Sequence, residues 1–399
     1  MKQISRQNCS ICDEQVVAVI DLPKLPLTGI FSRNGCDPKF PTYDQKFMMC
    51  TACNHGQMLN VLDPALLYGQ EYGFRTSESH TAKKGSQFFS NYLDQLFPGR
   101  SFERIIEFGC SDGVLLNLLR NKGDKLWGID PVLKDRESEL SDSKVTALGK
   151  RVEEIDLAEI MGKSNALVVS QHTMEHLDRP KDVLERFVSS APEGTVFVLE
   201  FPCLDPLLEQ YRFDQIFHQH IQYFSLQSTL RMIDQIGCTL IDYTFNYTYW
   251  GALVVAFSKG KVDSKKTSVI NAAKSNLPDK SPESIQSRFG KFKQQMMFAE
   301  EAIKTRSQIE LYGYGAALML PILGYHLNTD FSGLSGVFDD DPNKDGLGYI
   351  NLPAKISLPG NVDFSKINVL LTAMDNRRPI IKKLADKNPR QIINPLSFI

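Results

Sequence analysis

Short apolar runs alternate with helix-length stretches through the middle of the chain. Residues 104–108 and 125–130 are short runs rich in Ile, Leu, Phe and Trp, and residues 113–120 between them have helical spacing. Two further apolar runs occupy residues 166–170 and 195–200. Strands that are separated by helices in this way form parallel sheets with helices on both faces. We therefore predict an α/β fold with a doubly wound, Rossmann-like sheet in this region.

A second strand–turn–helix pattern follows towards the C-terminus. Residues 309–315, 336–339 and 367–372 predict three more strands, and a helix is expected around 289–307. The preceding stretch, 259–288, is rich in Lys, Ser and Pro, which is typical of a connection between domains. This pattern predicts a smaller, C-terminal Rossmann-like α/β unit.

The first sixty residues have a different character. They contain many Pro and Gly residues and show no clear helical period, which predicts a small, loop-rich module. We therefore expect three domains, spanning residues 1–65, 66–260 and 261–399.

The composition argues against several classes of protein. Lys and Arg number 45 and Asp and Glu 47, for a formal net charge of -2, whereas phosphate contact favours a basic surface. No apolar run approaches the roughly 20 residues of a membrane span, and residues 1–6 lack the apolar segment of a secretory signal. We expect a cytoplasmic protein that binds neither nucleic acid nor a membrane. The sequence leaves its oligomeric state open between a monomer and a weak dimer.

Four of the eight cysteines form two C-x-x-C pairs, Cys9 with Cys12 and Cys50 with Cys53. In a reducing compartment such pairs are typical of metal sites rather than of disulfides. Four thiolates fill the tetrahedral shell of Zn²⁺, so we predict a structural zinc ion without an open catalytic position. The alternative is four unrelated cysteines in a loop.

An acidic, glycine-containing turn follows the first central strand. Residues 107–113 read E-F-G-C-S-D-G, and Gly109 and Gly113 allow the backbone to turn tightly and approach a ligand closely. Asp130, at the end of the next strand, can accept both hydroxyls of a ribose. Asp112 disfavours a pyrophosphate, and the acidic turn instead suits a positively charged cofactor such as S-adenosylmethionine. A plain strand–turn–helix is the alternative.

This turn, Asp130 and the segment 171–180 resemble the class I S-adenosylmethionine-dependent methyltransferases. Residues 171–180 read Q-H-T-M-E-H-L-D-R-P and follow the fourth strand, where that family often carries an E-H-hydrophobic-x-x-P motif. The resemblance implies that the turn contacts the methionine part of the cofactor and that Asp130 holds the ribose. The candidate cofactor-binding residues are Glu107, Gly109, Cys110, Asp112, Gly113, Asp130, Pro131 and His172.

Four of the seven histidines, His172, His176, His218 and His220, lie close together in the sequence. Such a cluster could hold a transition metal, but no carboxylate stands at an obvious ligand spacing. We therefore favour catalytic or hydrogen-bonding roles over metal binding. A structural role is the alternative for His172 and His218.

The most distinctive stretch, residues 213–225, reads F-D-Q-I-F-H-Q-H-I-Q-Y-F-S. With the N-terminal cysteine pairs, it resembles the deoxysugar C-methyltransferases of antibiotic and polysaccharide pathways, whose pattern is F-D-x-I-Y-H-E-H-x-x-Y-F-S. That family has a zinc-binding, a methyltransferase and a C-terminal α/β domain in this order, so the resemblance covers essentially the whole chain. It implies a nucleotide-linked 4-keto sugar as the substrate, His220 as the general base and His176 as its supporting histidine. The base removes a proton beside the ketone, and the enolate then attacks the methyl group.

Two residues of this stretch depart from the family pattern. Phe217 and Gln219 stand where the family has Tyr and Glu, and Gln219 cannot take up a proton. O- or N-methylation of a related acceptor is therefore the alternative to C-methylation, since a hydroxyl needs only one base and good alignment. The candidate catalytic residues are His220, His176, Gln219, His218 and Tyr72.

Tyr72 belongs to an aromatic segment, with Tyr68 and Phe74, that resembles the family's active-site lid. Ordinary core aromatics are the alternative for this segment.

In the C-terminal unit, a glycine-containing turn follows the first strand. The resemblance implies that this unit holds the nucleotide of the sugar, with the turn near its phosphates. A simple packed turn is the alternative. The candidate nucleotide-binding residues are Tyr312, Gly313, Gly315 and Asp339.

Two other functions fit parts of the sequence. An NAD-dependent sugar oxidoreductase would explain two glycine turns, but the chain lacks a Tyr-x-x-x-Lys pair and a proper pyrophosphate loop. A non-enzymatic zinc scaffold would explain the changes at Phe217 and Gln219.

Overall fold

A computed structural model describes most of the chain. The described residues are 4–28, 30–67, 75–163, 166–260, 277–305 and 309–396. The aromatic segment with Tyr72 lies outside them. Among these residues, every helix is too short or too polar to cross a membrane.

The N-terminal region is built around a long antiparallel pair rather than loops. Its strands are β1 (Ile4–Ser5), β2 (Val16–Pro26), β3 (Phe31–Ser32), β4 (Thr42–Cys50), β5 (Gly56–Met58) and β6 (Asn60–Val61), followed by helix α1 (Pro64–Leu67). The loop-rich prediction was wrong for β2 and β4. The reason is irregular pairing: β2 contains Pro23, has Lys24 at a φ of 52° and shifts register twice against β4. These irregularities remove the period-2 alternation by which a strand is recognised.

The central region confirms the predicted α/β sheet. Seven strands have the order β13-β14-β11-β10-β7-β8-β9, in which β7 to β11 run parallel and β14 pairs antiparallel with β11. Its elements are α2 (His80–Leu96), β7 (Phe102–Phe108), α3 (Val114–Leu118), β8 (Gly123–Ile129), β9 (Val145–Leu148), α4 (Leu157–Met161), β10 (Ala166–Gln171), α5 (Pro180–Ser190), β11 (Val196–Phe201), α6 (Leu204–Glu209), β12 (Gln222–Tyr223), α7 (Leu226–Gln235), β13 (Cys238–Asn246) and β14 (Ala252–Lys259).

The C-terminal region contains a second sheet, with the order β20-β19-β15-β16-β18-β17-β3. Its elements are α8 (Pro282–Lys304), β15 (Leu311–Tyr314), α9 (Leu320–His326), β16 (Gly336–Phe338), β17 (Gly348–Tyr349), β18 (Leu352–Ser357), β19 (Asn368–Leu371), α10 (Arg377–Lys387) and β20 (Gln391–Ile393). Helix α8 begins earlier than expected because Ser281 caps it and Pro282 occupies its first turn.

Two very short strands join the three regions. β12 pairs with β5 and so completes the N-terminal sheet, and β3 pairs with β17 at the edge of the C-terminal sheet. The distinctive stretch 213–225, which contains β12, is therefore held against the N-terminal region.

Candidate active site

The four cysteines of the two C-x-x-C pairs meet in one cluster. Their sulfur atoms all lie within 4.8 Å of one another, with Cys9 Sγ 3.6 Å from Cys53 Sγ and Cys12 Sγ 3.4 Å from Cys50 Sγ. A disulfide requires about 2.05 Å, whereas four sulfurs placed 2.3 Å from a zinc ion lie about 3.8 Å apart. Hydrogen bonds with Cys53 and Cys9 hold the pKa of the Cys50 thiol far below its usual range. Hydrogen bonds with Cys50 raise the pKa of the Cys9 and Cys53 thiols instead. The positions of the four sulfur atoms are therefore what fits zinc.

A buried polar network connects this cysteine cluster to the stretch 213–225. His55 lies two residues after Cys53, and its Nε2 donates to Gln222 Oε1 at 2.8 Å. Ser10 Oγ donates to the same oxygen at 2.7 Å. Gln222 in turn donates to the Leu177 carbonyl at 2.9 Å. Hydrogen bonds through His55 and Gln222 therefore connect the cysteine region to the loop that follows β10.

The acidic turn after β7 has the close backbone packing that its glycines predict. Gly109 and Gly113 have φ values of 73° and 79°, and a Cβ on Gly109 would overlap the side chain of Thr173. Asp130 accepts from Ser111 N at 2.8 Å and from Val132 N at 2.9 Å, one bond on each oxygen. A carboxylate has about four acceptor sites, so Asp130 can still accept two ligand hydroxyls.

A cavity opens beside this turn. Among the described residues it has a volume of about 540 Å³, and a smaller one of about 100 Å³ adjoins it. These sizes together suit a small molecule. Asp112 lines both cavities, and its buried Oδ1 accepts no hydrogen bond from the described residues. The other residues around the larger cavity are Arg75, Ser77, Glu78, Arg136 and Glu139.

Burial shifts the pKa values of several ionisable side chains in and beside the acidic turn. Burial, together with the nearby charge of Asp130, raises the pKa of Glu107 well above its usual value. Burial also raises the pKa of Asp130 and of the Cys110 thiol. Arg75 and Arg136 line the same cavity, and the charge of Arg75 partly offsets the effect of burial on Asp130. The site therefore contains charges of both signs.

A second cluster forms where the loop after β10 meets the stretch 213–225. One ligand-type atom from each of Glu175, His176 and His220 lies within 4.8 Å of the other two. His176 Nδ1 donates to the Gln219 carbonyl at 2.7 Å, so its Nε2 is the nitrogen that can exchange a proton here. The rings of His176 and His220 have centroids 5.0 Å apart.

His220 is enclosed mainly by apolar surface. Its ring packs against Phe217 with centroids 4.2 Å apart, and burial lowers its pKa to about 3. The charges of His176 and His172 contribute to this lowering of the pKa, and the charge of Glu175 partly offsets it. His220 is therefore a neutral imidazole at physiological pH, as a general base must be before it acts.

The expectation that the histidines have no carboxylate partner was wrong. Glu175 is fully buried between them, with Oε1 3.4 Å from His172 Nδ1 and 3.9 Å from His176 Nε2. A short helical turn over Met174–His176 brings it there, and the distance to His220 depends on tertiary packing. The E-H pair at 175–176 was the sequence signal for this residue.

His172 is held apart from the proposed base by aromatic packing. Its backbone has a φ of 52°, and its ring lies 4.1 Å from that of Tyr249 and 5.9 Å from that of Trp250, measured between centroids. Its Nε2 is buried without a hydrogen bond from the described residues. The structure thus places His172 at the edge of the histidine cluster and one residue before Thr173, which contacts the acidic turn.

His218 and the Gln219 side chain face the N-terminal region. His218 Nε2 donates to the Leu25 carbonyl at 3.1 Å, and Gln219 Nε2 donates to the Thr28 carbonyl at 2.8 Å. Burial lowers the pKa of His218 to about 4. Both side chains thus connect the stretch 213–225 to residues 25–28, while the backbone carbonyl of Gln219 accepts from His176.

A buried ion-pair network joins the stretch 213–225 to the C-terminal region. Arg212 makes two hydrogen bonds of 2.8 Å to Asp214 and one of 2.6 Å to Asp375. Asp375 lies in the loop after β19, and the next residue, Asn376, accepts from Thr81 Oγ1 of α2 at 3.1 Å. The loop after β19 therefore contacts both Arg212, which precedes the stretch 213–225, and helix α2.

The turn after β15 repeats the arrangement of the turn after β7. Ala316 N donates to Asp339 Oδ2 at 2.6 Å, as Ser111 N does to Asp130. Gly315 has a φ of 96°, and Cβ atoms on Gly313 and Gly315 would press against Thr372 and Ala373. Tyr312 instead stacks on Phe338. The two glycines therefore allow the turn to pack closely against Thr372 and Ala373, the two residues that follow β19.

Comparison with known proteins identifies the class of the central region. Residues 81–243 match the family model of the methyltransferase domain. The parallel strands with an inserted antiparallel β14 give the sheet of the class I methyltransferase fold, the fold of S-adenosylmethionine-dependent enzymes.

The chain is also similar to a particular curated enzyme. It is 26% identical over 264 residues to the C-methyltransferase NovU of Streptomyces niveus, which covers 64% of this chain and 61% of NovU. The chain therefore spans less than two thirds of that relative's length.

Solved structures provide weaker likenesses. The N-methyltransferase NodS of Bradyrhizobium japonicum, solved with S-adenosylhomocysteine, has a TM-score of 0.36 and 10% identity, covering 48% of this chain and 94% of NodS. The magnesium protoporphyrin IX methyltransferase of Synechocystis, with the same ligand, has a TM-score of 0.35 and 11% identity, covering 45% of this chain and 84% of that protein.

Proposed function

We propose that the protein is an S-adenosylmethionine-dependent methyltransferase that acts on a nucleotide-linked sugar. The methyl acceptor is a carbon next to a 4-keto group, and His220 is the general base. One observation carries this proposal: the loop with the histidine cluster packs through Thr173 on Gly109 of the acidic turn. A cofactor at the turn and a base at the cluster would therefore serve one reaction centre.

The residues of the acidic turn suit the cofactor. Asp130 would hold the ribose. Asp112, whose buried Oδ1 accepts no hydrogen bond from the residues that the structure describes, would face the positively charged end. S-adenosylmethionine supplies an electrophilic methyl group when bound. The protein's own part is to hold the acceptor in line, take up one proton at His220 and keep water away from the site.

Zinc has a structural role in this proposal. Four thiolates leave no open position on the ion, and hydrogen bonds of Ser10, His55 and Gln222 link the cluster to the active-site loop. A reducing compartment such as the cytoplasm would keep the thiols available. We retain the division into domains at residues 65 and 260, with the C-terminal domain holding the nucleotide near Tyr312, Gly313, Gly315 and Asp339.

O- or N-methylation is the second candidate. Phe217 places a phenyl ring without a hydroxyl against His220, and the Gln219 side chain bonds to Thr28. The tyrosine hydroxyl that could donate to a developing enolate is therefore missing at position 217, and the Gln219 amide is engaged with Thr28. A single base suffices for methylation of a hydroxyl.

Solvent deuterium uptake separates the two candidates. The protein is incubated in deuterated water, without methyl donor, with thymidine diphosphate-linked 4-keto-6-deoxyglucose, and the sugar is examined by nuclear magnetic resonance. C-methylation predicts His220-dependent exchange of the proton next to the ketone, above the rate without protein. Methyl transfer to the sugar without such exchange would favour O- or N-methylation, and absence of both exchange and methyl transfer would contradict the sugar proposal.

A further inference from the structure

Glu175 has an unusual environment for a carboxylate. It is fully buried, and neither of its oxygens accepts a hydrogen bond from the described residues. Burying an ionised carboxylate is costly unless opposite charge compensates it. Burial alone would raise the pKa of Glu175, but the nearby histidines outweigh it and lower the pKa to about 2. The carboxylate thus remains ionised and is matched to histidines rather than to a Lys or Arg.

The hydrogen bonds of His176 show where a compensating proton would sit. The Gln219 carbonyl can only accept, so Nδ1 of His176 carries a hydrogen in every protonation state. In neutral His176, Nε2 carries no hydrogen, and it lies 3.9 Å from Glu175 Oε1. Two hydrogen-bond acceptors at this distance repel each other. A proton on His176 or His220 replaces this repulsion with attraction between an imidazolium and the carboxylate of Glu175.

Burial also makes it unfavourable for His220 to carry a proton. An imidazole buried among apolar groups holds a proton poorly, yet a general base must hold the proton it removes. The atoms of Glu175, His176 and His220 all lie within 4.8 Å, so a positive charge on either ring falls within the range at which a carboxylate stabilises it.

We propose that Glu175 is the positioning residue that compensates the imidazolium charge formed when His220 takes a proton from the acceptor. This inference rests on the proposed function and extends it. The carbon–hydrogen bond breaks, its electron pair stays on the acceptor as the enolate, and the proton moves to His220. Glu175 does not touch the acceptor, and its charge acts on His220 directly and through His176.

Several ionisable groups contribute to this balance. His172 and His176 face Glu175 from its own loop, His220 and Tyr223 from the stretch 213–225, and Glu200 from β11. Glu200 and Tyr223 are themselves held towards their neutral forms by burial, which raises both pKa values. Glu175 is therefore the carboxylate available to balance the histidine pair.

The test compares Glu175→Gln, Glu175→Asp and Glu185→Gln in the full-length, zinc-loaded protein. Glu185 lies exposed on α5 and serves as the matched control. With the thymidine diphosphate-linked ketosugar and S-adenosylmethionine, Glu175→Gln is expected to lower kcat about tenfold to hundredfold with little change in KM. Glu175→Asp should recover a substantial part of kcat, and Glu185→Gln should match the parent. A kcat for Glu175→Gln within twofold of the parent would overturn the inference, and so would loss of kcat with equal loss in Glu175→Asp.

A second measurement does not depend on turnover. The ring nitrogens of the histidines are followed by ¹⁵N nuclear magnetic resonance from pH 9 down to the lowest pH at which the protein stays folded, without substrate. Removing the carboxylate should lower the midpoint at which the His176–His220 pair gains a proton, by about one pH unit or more. An unchanged midpoint would overturn the inference, as would a second equivalent of bound metal that Glu175→Gln removes. A lowered midpoint in a protein that does not methylate the ketosugar would support Glu175 and contradict the proposed acceptor.

Discussion

Replacing His220 with alanine is expected to lower the rate of methyl transfer by about a hundredfold or more, since loss of a general base usually has this effect. The acidic turn that is proposed to bind the cofactor is a different segment from the one with His220. Binding of S-adenosylhomocysteine should therefore remain close to that of the parent protein. Turnover is measured with labelled methyl donor and the ketosugar, and binding by calorimetry.

His80→Ala is the matched control for this prediction. His80 is exposed at the start of α2 and belongs to no described part of the histidine cluster. The variant should retain parental turnover. Near-parental turnover of His220→Ala would mean that another group takes the proton.

Replacing Cys50 with serine is expected to release the zinc ion and to unfold much of the N-terminal region. Apparent zinc-binding free energies in small structural sites are about 10–16 kcal/mol, and they contribute directly to folding. Because β5 follows Cys53 and pairs with β12, the change should also disturb the stretch 213–225 and lower turnover. Metal analysis, thermal unfolding and turnover are measured together.

Cys36→Ser provides the comparison within the same region. Cys36 is a free, half-buried cysteine outside the four-sulfur cluster. This variant should keep one zinc ion per chain and the parental unfolding temperature. If Cys50→Ser also kept its metal and its stability, the four-cysteine site would be contradicted.

The sequence was sufficient for four of the seven strands of the central sheet because these strands carry their signal locally. Short apolar runs separated by helical stretches predicted β7, β8, β10 and β11 within one or two residues of their ends. The parallel sheet follows from that alternation, since helices cover both of its faces.

Long-range pairing was beyond the sequence. β12 and β3 contain two residues each and have no period of their own, so their partners depend on the packing of whole regions. In β2, two register shifts and the left-handed backbone conformation of Lys24 interrupt the alternation of buried and exposed residues. A strand of this kind is identified only once its partner is known.

The same distinction applies to the candidate site. The cysteine pairs, the acidic turn and Asp130 stood out because each motif is local. The position of Glu175 against His220 did not, because the two residues lie on separate loops that only folding brings together. His218 and His220, two residues apart, likewise face different neighbours: His218 contacts Leu25, and His220 contacts His176.

The central claim is that the acidic turn and Asp130 bind the activated methyl donor. Its most direct test is a calorimetric titration with S-adenosylhomocysteine of the parent protein, of Asp130→Ala and of Asp124→Ala, which changes an exposed residue near the other end of the same strand. Saturable binding at one site is expected in the parent and in Asp124→Ala, and loss of binding is expected in a folded Asp130→Ala. Absence of binding to the parent, or equal binding to all three proteins, would contradict it.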